Sequence, residues 1–353
     1  FYQFPANLMS VVAVTGTNGK TSTVQLTSQL AVLMGEQAAY IGTLGAGMYS
    51  SHSDSQPINN TINTTPDAIS MQRLLAGFIA EGACQVALEA SSHALVQHRI
   101  KAVKVDVAVF TNLSRDHLDY HGSMAEYAAA KRLLLWQPEL AYAVININDP
   151  EHKNWLLNIP ETTCVVLYGH NTSNIDIPSG YQYCVANNVR YTAEGIALSL
   201  QSSWGDCELR LSLLAEFNVA NVLAAICTQF CLGKSLKQIT YIVQKLKPVA
   251  GRMELYKRQG YATIVVDYAH TPDALDKALL ASKQHCHGKL ICVFGCGGDR
   301  DVGKRSLMGE IAERLSDLVI LTDDNVRSEN PQDIINDILS GCINPDQVLI
   351  EHD

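Results

Sequence analysis

The residues best suited to chemistry form a glycine-rich loop near the start of the chain. After an apolar run at residues 11–14 the sequence reads Thr15-Gly16-Thr17-Asn18-Gly19-Lys20-Thr21-Ser22, and a helix-like stretch follows. Glycines let backbone N–H groups converge on phosphate oxygens, and the N-terminus of a helix adds partial positive charge. In such a loop Lys20 reaches the outer phosphates and the Thr21 hydroxyl can ligate Mg²⁺. The strict Walker pattern has a glycine where this chain has Val14, so the sequence predicts a variant phosphate site. The alternative is a glycine turn that binds nothing.

A second group of polar residues follows two later apolar runs. Glu89 ends the run at 86–88, and His117 lies in a polar stretch, 111–121, that follows another such run. Open α/β sheets bind ligands at the carboxyl ends of their strands, where a carboxylate can hold Mg²⁺ beside phosphate. The alternatives are a helix-capping or ion-paired Glu89 and a structural His117. Lys131, on a helix face of small apolar residues, is by pattern alone a surface lysine with a snorkelling side chain.

The last third of the chain adds three polar stretches, each directly after an apolar run. The first contains Asp267 and His270, the second Arg300, and the third Asp324-Asn325-Val326-Arg327, while Arg252 precedes all three. We expect them on one edge of a second sheet, because the carboxyl ends of parallel strands meet at one edge. Two arginines beside strand ends suit bidentate carboxylate recognition, although ordinary solvated arginines give the same pattern.

The elements that must position these residues alternate between short β-branched runs and amphipathic stretches. Strands are predicted at 11–14, 86–88, 105–110, 143–147, 263–266, 290–294 and 318–321, and helices at 22–34, 68–81, 124–136 and 306–315. Continuous apolar strands separated by helices favour parallel sheets covered on both faces. Residues 171–210 are predicted to form an antiparallel excursion with turns at Asn187-Asn188 and Glu194-Gly195. The predicted fold is α/β, with a phosphate-loop central domain (1–247) of mostly parallel sheet and a smaller Rossmann-like domain (248–353).

Bulk properties exclude several classes of protein. The formal net charge of -9 gives no general attraction to nucleic acid or to anionic membranes. No apolar run approaches the ~20 residues that a spanning helix needs, and residues 1–10 do not resemble a signal peptide. The ten cysteines are scattered without a Cys-x-x-Cys pair, which favours free thiols in a cytoplasmic enzyme. We therefore expect a cytoplasmic monomer that interacts with small molecules and with neither nucleic acid nor membrane.

These motifs, in this order, resemble the Mur ligase family of peptidoglycan assembly, and among its branches the UDP-N-acetylmuramoyl-tripeptide synthetases. The resemblance covers the chain from Gly16 to Arg327. It implies an ADP-forming ligase that phosphorylates the γ-carboxylate of D-Glu in UDP-MurNAc-L-Ala-D-Glu and then joins the acyl phosphate to the amine of an amino acid. It also implies an N-terminal uridine-binding domain and a C-terminal stretch that we expect to be missing from this chain.

The resemblance assigns roles to individual residues. Lys20, His117 and Lys131 are implied to be catalytic, with Lys131 carbamylated by CO₂, and Mg²⁺ is implied to be held by Thr21, Glu89, His117 and the carbamate. ATP is expected at Gly16, Thr17, Asn18, Gly19, Lys20, Thr21, Ser22, Asn221, Arg252, Asp267 and His270. The UDP-sugar dipeptide is expected at Asn63, Thr64, Thr65, Ser91, Gln97 and Arg99.

The acceptor amino acid depends on the second domain. In the family an Asp-Asn-Pro-Arg motif with an upstream arginine accompanies meso-diaminopimelate, whose second carboxylate the arginines bind. This chain keeps Arg300, Asp324, Asn325 and Arg327 but has Val326 in place of the proline. We therefore expect meso-diaminopimelate. An L-lysine-adding enzyme, a ligase like folylpolyglutamate synthetase and a non-catalytic truncated fragment are the alternatives, whereas a phosphate-loop kinase or GTPase does not explain the second domain.

Overall fold

The computed structural model describes residues 2–49, 63–171, 177–192, 195–286 and 288–352. The chain divides into two compact units, which are Phe1–Leu113 with Ala125–Val249, and Ser114–Met124 with Ala250–Asp353. Residues 114–124 therefore group with the second unit although they lie within the first in sequence.

The described elements are as follows. The strands are β1 (Ser10–Thr15), β2 (Ala38–Gly42), β3 (Gly45–Met48), β4 (Gln85–Glu89), β5 (Val107–Phe110), β6 (Tyr142–Asn146), β7 (Cys164–His170), β8 (Gln182–Thr192), β9 (Gly195–Ser202), β10 (Cys207–Leu211), β11 (Glu254–Tyr256), β12 (Ile264–Val266), β13 (Ile291–Phe294), β14 (Leu318–Thr322) and β15 (Leu349–Glu351). The helices are α1 (Lys20–Leu33), α2 (Ala68–Ala80), α3 (Ser92–Val96), α4 (Leu118–His121), α5 (Met124–Arg132), α6 (His152–Trp155), α7 (Phe217–Cys231), α8 (Leu236–Val243), α9 (Pro272–His285), α10 (Gly303–Leu315) and α11 (Pro331–Leu339), with 3₁₀ turns at Pro5–Leu8, Leu133–Trp136 and Pro345–Gln347. None of the helices in the described part of the chain combines the length and hydropathy that crossing a bilayer requires.

In the first unit, the described strands form one sheet of ten in the order β10-β9-β8-β7-β6-β5-β1-β4-β2-β3. In this spatial order, every pair of neighbouring strands from β8 through β2 is parallel. The antiparallel pairings are β3 at one edge and β9 with β10 at the other. The prediction of a mostly parallel sheet with an antiparallel excursion is confirmed.

Both faces of this sheet are buried, as the continuous apolar strands predict. Along β1, Val12 and Val14 face one apolar cluster, which includes residues of α1, α7 and α8. Val11 and Ala13 face the other, which includes residues of α2 and the fully buried Trp155. Successive side chains of a strand point to opposite faces, so each strand contributes to both layers, and burying one valine contributes about 1.5–3 kcal/mol.

The predicted turn at Asn187-Asn188 is wrong. Strand β8 continues through this pair to Thr192, and its register against β9 shifts between Asn187 and Arg190. Asn188 has φ of 51°, a left-handed conformation that asparagine tolerates better than most residues. The same tolerance that favours a turn here allows a β-bulge within a continuing strand.

The second unit is a smaller α/β assembly. Strands β11 and β12 form an antiparallel pair, and β13, β14 and β15 form a parallel sheet. Its core brings together apolar side chains of α9, α10 and α11 with those of β13 and β14. A smaller α/β domain at the C-terminal end of the chain is what the alternating pattern predicts. The expectation that all three polar stretches follow strands of one sheet is wrong, because β12, which precedes Asp267 and His270, pairs antiparallel with β11, whereas the described β13, β14 and β15 form a separate sheet.

Two helical glycines allow a matched test of this packing. A Cβ on Gly309, in α10, would lie 2.1 Å from the carbonyl oxygen of Ile338, whereas a Cβ on Gly77, in α2, would meet no atom within 4 Å. Gly77→Ala should stabilise the protein by about 0.5–1 kcal/mol because alanine has the higher helix propensity. Gly309→Ala should instead destabilise it by about 1–3 kcal/mol because α10 and α11 must separate. Urea unfolding of both variants measures these changes, and stabilisation by Gly309→Ala would contradict the close helix packing.

Candidate active site

The loop between β1 and α1 has a backbone that requires glycine at two positions. Gly16 and Gly19 have φ of 146° and 84°. A Cβ on Gly16 would lie 1.8 Å from Oγ1 of Thr111, the residue that follows the neighbouring strand β5. The loop therefore approaches β5 more closely than any other residue type at position 16 allows.

Two residues after β5 fix the backbone of the loop. Asn112 accepts from the Asn18 N–H through Oδ1 (2.8 Å) and donates from Nδ2 to the Asn18 carbonyl (3.0 Å). The Thr111 hydroxyl donates to the same carbonyl at 2.7 Å. The Thr17 N–H donates to the Asn112 carbonyl at 2.9 Å. Sequence reasoning noted the polar stretch from residue 111 but gave neither residue a role in the loop, because that role depends on pairing of β5 with β1.

Two lysines converge on one backbone oxygen of the loop. Lys20 Nζ donates to the carbonyls of Gly16 (2.9 Å) and Thr17 (2.7 Å). Lys131 Nζ, from α5, donates to the same Gly16 carbonyl at 2.7 Å and lies 4.3 Å from the centre of the Tyr127 ring. Lys131 is 1% exposed, so the surface position that its local pattern indicates is wrong. Two donors on one oxygen bring the ammonium nitrogens within about 6 Å of each other.

Glu89 places a buried carboxylate beside the first turn of α1. It is 1% exposed and accepts from the Thr21 hydroxyl at 2.8 Å through Oε1. The backbone N–H of Thr43 donates to the same oxygen at 2.8 Å. A Cβ on Gly42 would lie 2.3 Å from Oε1, so β2 closes tightly over the carboxylate. Thr43 had no role in the sequence analysis, since the β2–β3 connection had no recognisable motif.

Four of the residues expected to hold the sugar-peptide substrate lie together next to Glu89. The Thr65 hydroxyl donates to the Glu89 carbonyl (2.7 Å) and accepts from the Ser91 N–H (3.1 Å). Arg99 donates to the Thr65 carbonyl at 2.8 Å and, through Nε and Nη2, to Oε1 of Gln97 at 2.9 and 2.6 Å.

The other two residues of this expected set extend from the same region. The Thr64 hydroxyl is 3.3 Å from that of Thr43, and Asn63 is exposed at the start of a described segment.

Asn221, on α7, contacts the loop from a second direction. A Cβ on Gly19 would lie 2.5 Å from Asn221 Oδ1. The Asn221 amide donates to Oδ1 of Asn218 at 3.2 Å, and both side chains are buried. The structure therefore brings Asn221 next to the N-terminus of α1, where ATP is expected to bind.

His117 lies in the segment 114–124 that groups with the second unit. It precedes α4 in a left-handed conformation (φ 55°), and its Nε2 lies 3.4 Å from Oδ2 of Asp116. Nearby in the same segment, Arg115 forms an ion pair with Asp301 at 3.7 Å.

Three residues expected at the nucleotide are linked through one stretch of the second unit. Asp267 Oδ2 accepts from the Met253 N–H at 2.8 Å, and burial raises the pKa of this carboxyl group, while that hydrogen bond and Arg252 act to lower it. The Arg252 guanidinium lies 4.7 Å from the centre of the Tyr268 ring. His270 Nδ1 is 3.0 Å from the carbonyl of the same tyrosine.

The loops after β13 and β14 carry the remaining predicted residues. Arg327 donates from Nη1 to the carbonyls of Gly298 (2.6 Å) and Asn325 (3.3 Å), and the Gly298 N–H donates to the Asn325 carbonyl at 3.0 Å. Within the described ranges, Nε and Nη2 of Arg327 have no hydrogen-bond partner. Asp324 and Arg300 are exposed, and Arg300 forms no hydrogen bond or ion pair with any described residue.

Comparison with known proteins identifies the family of this chain. The Mur ligase middle domain matches residues 14–229, and the Mur ligase glutamate ligase domain matches residues 251–353. A solved UDP-N-acetylmuramoyl-L-alanyl-D-glutamate–2,6-diaminopimelate ligase is 36% identical, with a TM-score of 0.69, over 98% of this chain and 68% of that one.

Two more distant structures share the fold. MurF from Acinetobacter baumannii is 16% identical over 99% of this chain and 70% of its own, with a TM-score of 0.73. Mycobacterium tuberculosis folylpolyglutamate synthase, complexed with ADP and AMPPCP, is 17% identical over 99% of this chain and 82% of its own, with a TM-score of 0.77. Since both domain models and a 36%-identical ligase match nearly the entire chain, it belongs to the Mur ligase family of ATP-dependent amide ligases.

Proposed function

We propose that this chain carries the ATP-dependent addition of meso-diaminopimelate to UDP-MurNAc-L-Ala-D-Glu in peptidoglycan biosynthesis. The observation that carries the proposal is the geometry of Arg327, whose Nη1 is held by two backbone carbonyls. The guanidinium is thereby oriented with its Nε–Nη2 edge available for a second carboxylate. The 36%-identical relative, which is named for the same reaction, supports this choice of acceptor.

The nucleotide is proposed to bind at the loop 16–22. Its phosphate oxygens would accept from the N–H groups at the start of α1, and Lys20 would exchange its bonds to the Gly16 and Thr17 carbonyls for phosphate oxygens. The positive charge of Lys20 then opposes the negative charge of the phosphoryl group during transfer. Asn221, Arg252, Asp267 and His270 are proposed to contact the rest of ATP.

The residues around Thr21 fit a magnesium ion. Mg²⁺ prefers oxygen ligands, and the Thr21 hydroxyl and the buried Glu89 carboxylate lie 2.8 Å apart. Mg²⁺ is usually bound by one or two carboxylates together with substrate phosphates and water, so Thr21 and Glu89 would supply only part of its ligands. When bound, the ion would neutralise charge on the transferring phosphoryl group. His117 is proposed as a further ligand.

Lys131 is proposed to act as a carbamate. CO₂ adds to the neutral amine of a lysine and one proton is released, so the side chain changes from a cation to an anion. Repulsion between two ammonium groups about 6 Å apart is roughly 3 kcal/mol at an effective dielectric constant of about 20. A carbamate removes this repulsion and becomes an anion beside Lys20. Its nitrogen keeps one hydrogen, so the bond to the Gly16 carbonyl can persist.

The UDP-sugar dipeptide is proposed to bind at Asn63, Thr64, Thr65, Ser91, Gln97 and Arg99. Because Thr65 bonds directly to the Glu89 backbone, this group is fixed next to the proposed magnesium site. The γ-carboxylate of D-Glu would attack the γ-phosphorus of ATP, breaking its bond to the β–γ bridging oxygen and releasing ADP. The amine of the acceptor then attacks the acyl carbon, phosphate leaves, and the amine loses a proton.

The acceptor is proposed to bind at Arg300, Asp324, Asn325 and Arg327. Meso-diaminopimelate ends in a carboxylate and an ammonium group, whereas L-lysine ends in an ammonium group alone. A charge-assisted bidentate bond from Arg327 therefore distinguishes the two. Val326 in place of the motif proline leaves the backbone before Arg327 less restricted but does not remove the charge of the arginine.

An acceptor panel tests this assignment. In the full-length protein, phosphate release from ATP should require both UDP-MurNAc-L-Ala-D-Glu and meso-diaminopimelate. Arg327→Met should lower kcat/KM for meso-diaminopimelate about 10- to 100-fold, since a hydrogen bond to a charged group contributes about 1.5–3 kcal/mol. Arg314→Met is the matched control, because this exposed arginine of the same unit pairs only with Asp276 among described residues. Equal turnover with L-lysine would show that the acceptor assignment is wrong.

A second set of variants tests the carbamate. Lys131→Ala should abolish ligation, and short-chain carboxylic acids should partly restore it by occupying the space of the carbamate. Lys131→Arg keeps the positive charge but cannot be carbamylated, so it should also be inactive. Lys101→Ala, at an exposed lysine, serves as the control. Phosphate release measures each rate, and normal activity of Lys131→Arg would contradict the carbamate.

A further inference from the structure

The second unit contains a buried arginine to which the proposed reaction gives no role. Arg305, in α10, is 1% exposed. Its Nη1 and Nη2 donate to the two carboxylate oxygens of Glu329 at 2.8 Å each. Nη1 also donates to Oδ2 of Asp337 at 2.9 Å, and Nη2 to the Gly297 carbonyl at 3.3 Å. The arginine is buried, whereas the side chains of Glu329 and Asp337 keep 27% and 43% of their surface exposed, so the arginine bears most of the desolvation and depends on these partners.

Glu329 connects this arginine to both loops that hold Arg327. Its Oε1 accepts from the Asp299 N–H, in the loop after β13, at 2.5 Å. The Asp299 carboxylate in turn accepts from the Ser328 hydroxyl, in the loop after β14, at 2.7 and 2.8 Å. The bonds from Arg305, followed by the bond from the Asp299 backbone, lower the pKa of Glu329 to about 2. The Glu329 carboxylate therefore stays ionised throughout the neutral pH range.

The position of Arg327 depends on how the two loops are aligned. Its Nη1 donates to Gly298 of the first loop, while its own backbone belongs to the second. A Cβ on Gly298 would lie 2.0 Å from the Val326 carbonyl, so the loops touch through their backbones. Arg327 also has φ of 51°, a conformation that persists only where surrounding contacts fix it. A shift of one loop would move the guanidinium and its free edge.

We propose that Arg305 is a positioning residue for acceptor recognition, acting through Glu329 to hold Arg327 in place for the distal carboxylate of the acceptor. The inference rests on the proposed function, since it concerns the same carboxylate. Arg305 is buried beneath the loops and acts on the acceptor only through the residues that it holds. Bidentate pairing to Glu329 gives it control of orientation as well as charge.

Asp337 provides a matched control for this role. It accepts a hydrogen bond from the same Nη1 as Glu329, but in the described structure its hydrogen bonds reach neither loop. Glu329→Gln and Asp337→Asn each remove one negative charge next to Arg305. Glu329 accepts from Arg305 through both oxygens, so Glu329→Gln must place an amide donor against the arginine and disturb the link to Asp299. Asp337 accepts from Arg305 through one oxygen, so Asp337→Asn can keep that bond.

Steady-state kinetics of the full-length protein separate the two variants. Glu329→Gln should raise KM for meso-diaminopimelate at least 10-fold, with kcat and KM for ATP within about twofold of wild type. Asp337→Asn should leave all three within about twofold. Arg305→Lys, which keeps the charge but loses the bidentate geometry, should give an intermediate KM. Calorimetric titration of meso-diaminopimelate should show the same order of affinities without requiring turnover.

Ser328→Ala tests the same alignment without altering a buried charge. It removes the hydroxyl bonds to Asp299 and should raise the same KM about three- to tenfold, even if Glu329→Gln fails to fold. Equal KM increases in Glu329→Gln and Asp337→Asn, or a fall in kcat alone, would overturn the positioning role. If wild type uses L-lysine as well as meso-diaminopimelate, the proposed acceptor itself is wrong. Normal acceptor preference with unchanged KM in Glu329→Gln and Ser328→Ala refutes only the role of Arg305.

Discussion

The absence of a side chain at Gly16 is the constraint on which the site of the first unit depends. Without a Cβ there, the end of β5 reaches the loop, and Thr111 and Asn112 can bond to its backbone. The Gly16 carbonyl then accepts from Lys20 of α1 and from Lys131 of α5. One oxygen thus joins the glycine-rich loop to a helix more than one hundred residues later in the chain. Any larger residue at position 16 would move the loop from β5 and disturb both lysines together.

Much of the framework could be predicted from sequence because it depends on local patterns. Continuous apolar runs gave the strands, and the glycine-lysine-threonine junction between strand and helix gave the loop. The local pattern failed at Asn187-Asn188, where the preference of asparagine for left-handed backbone is compatible with a turn and with a bulge. It also failed for Lys131, since small helix neighbours do not show which element covers them.

The contacts that complete the site are invisible in sequence for a different reason. Thr43, Thr111 and Arg305 act through hydrogen bonds to residues 46, 93 and 24 positions away. Their residue types are common, and nothing near them in sequence differs from an ordinary loop or helix. The strand order places β2 beside β4, which brings Thr43 to Glu89, and β5 beside β1, which brings Thr111 to the loop. Tertiary pairing therefore determines which polar residues become part of the site.

Fold alone does not determine which amino acid a member of this family attaches. MurF and folylpolyglutamate synthase share the fold at TM-scores of 0.73 and 0.77 although they are only 16% and 17% identical to this chain. Selection must therefore depend on particular side chains and on whatever fixes them. A proline at position 326 would restrict φ covalently, whereas Val326 leaves that angle free to vary. The conformation of Arg327 then depends on non-covalent contacts between the two loops. The bidentate bond from Arg305 of α10 to Glu329 of the second loop supports these contacts, and its arginine is buried, where competition from water is weak. We infer that the ion pair of Arg305 and Glu329 supplies rigidity that a proline would otherwise provide.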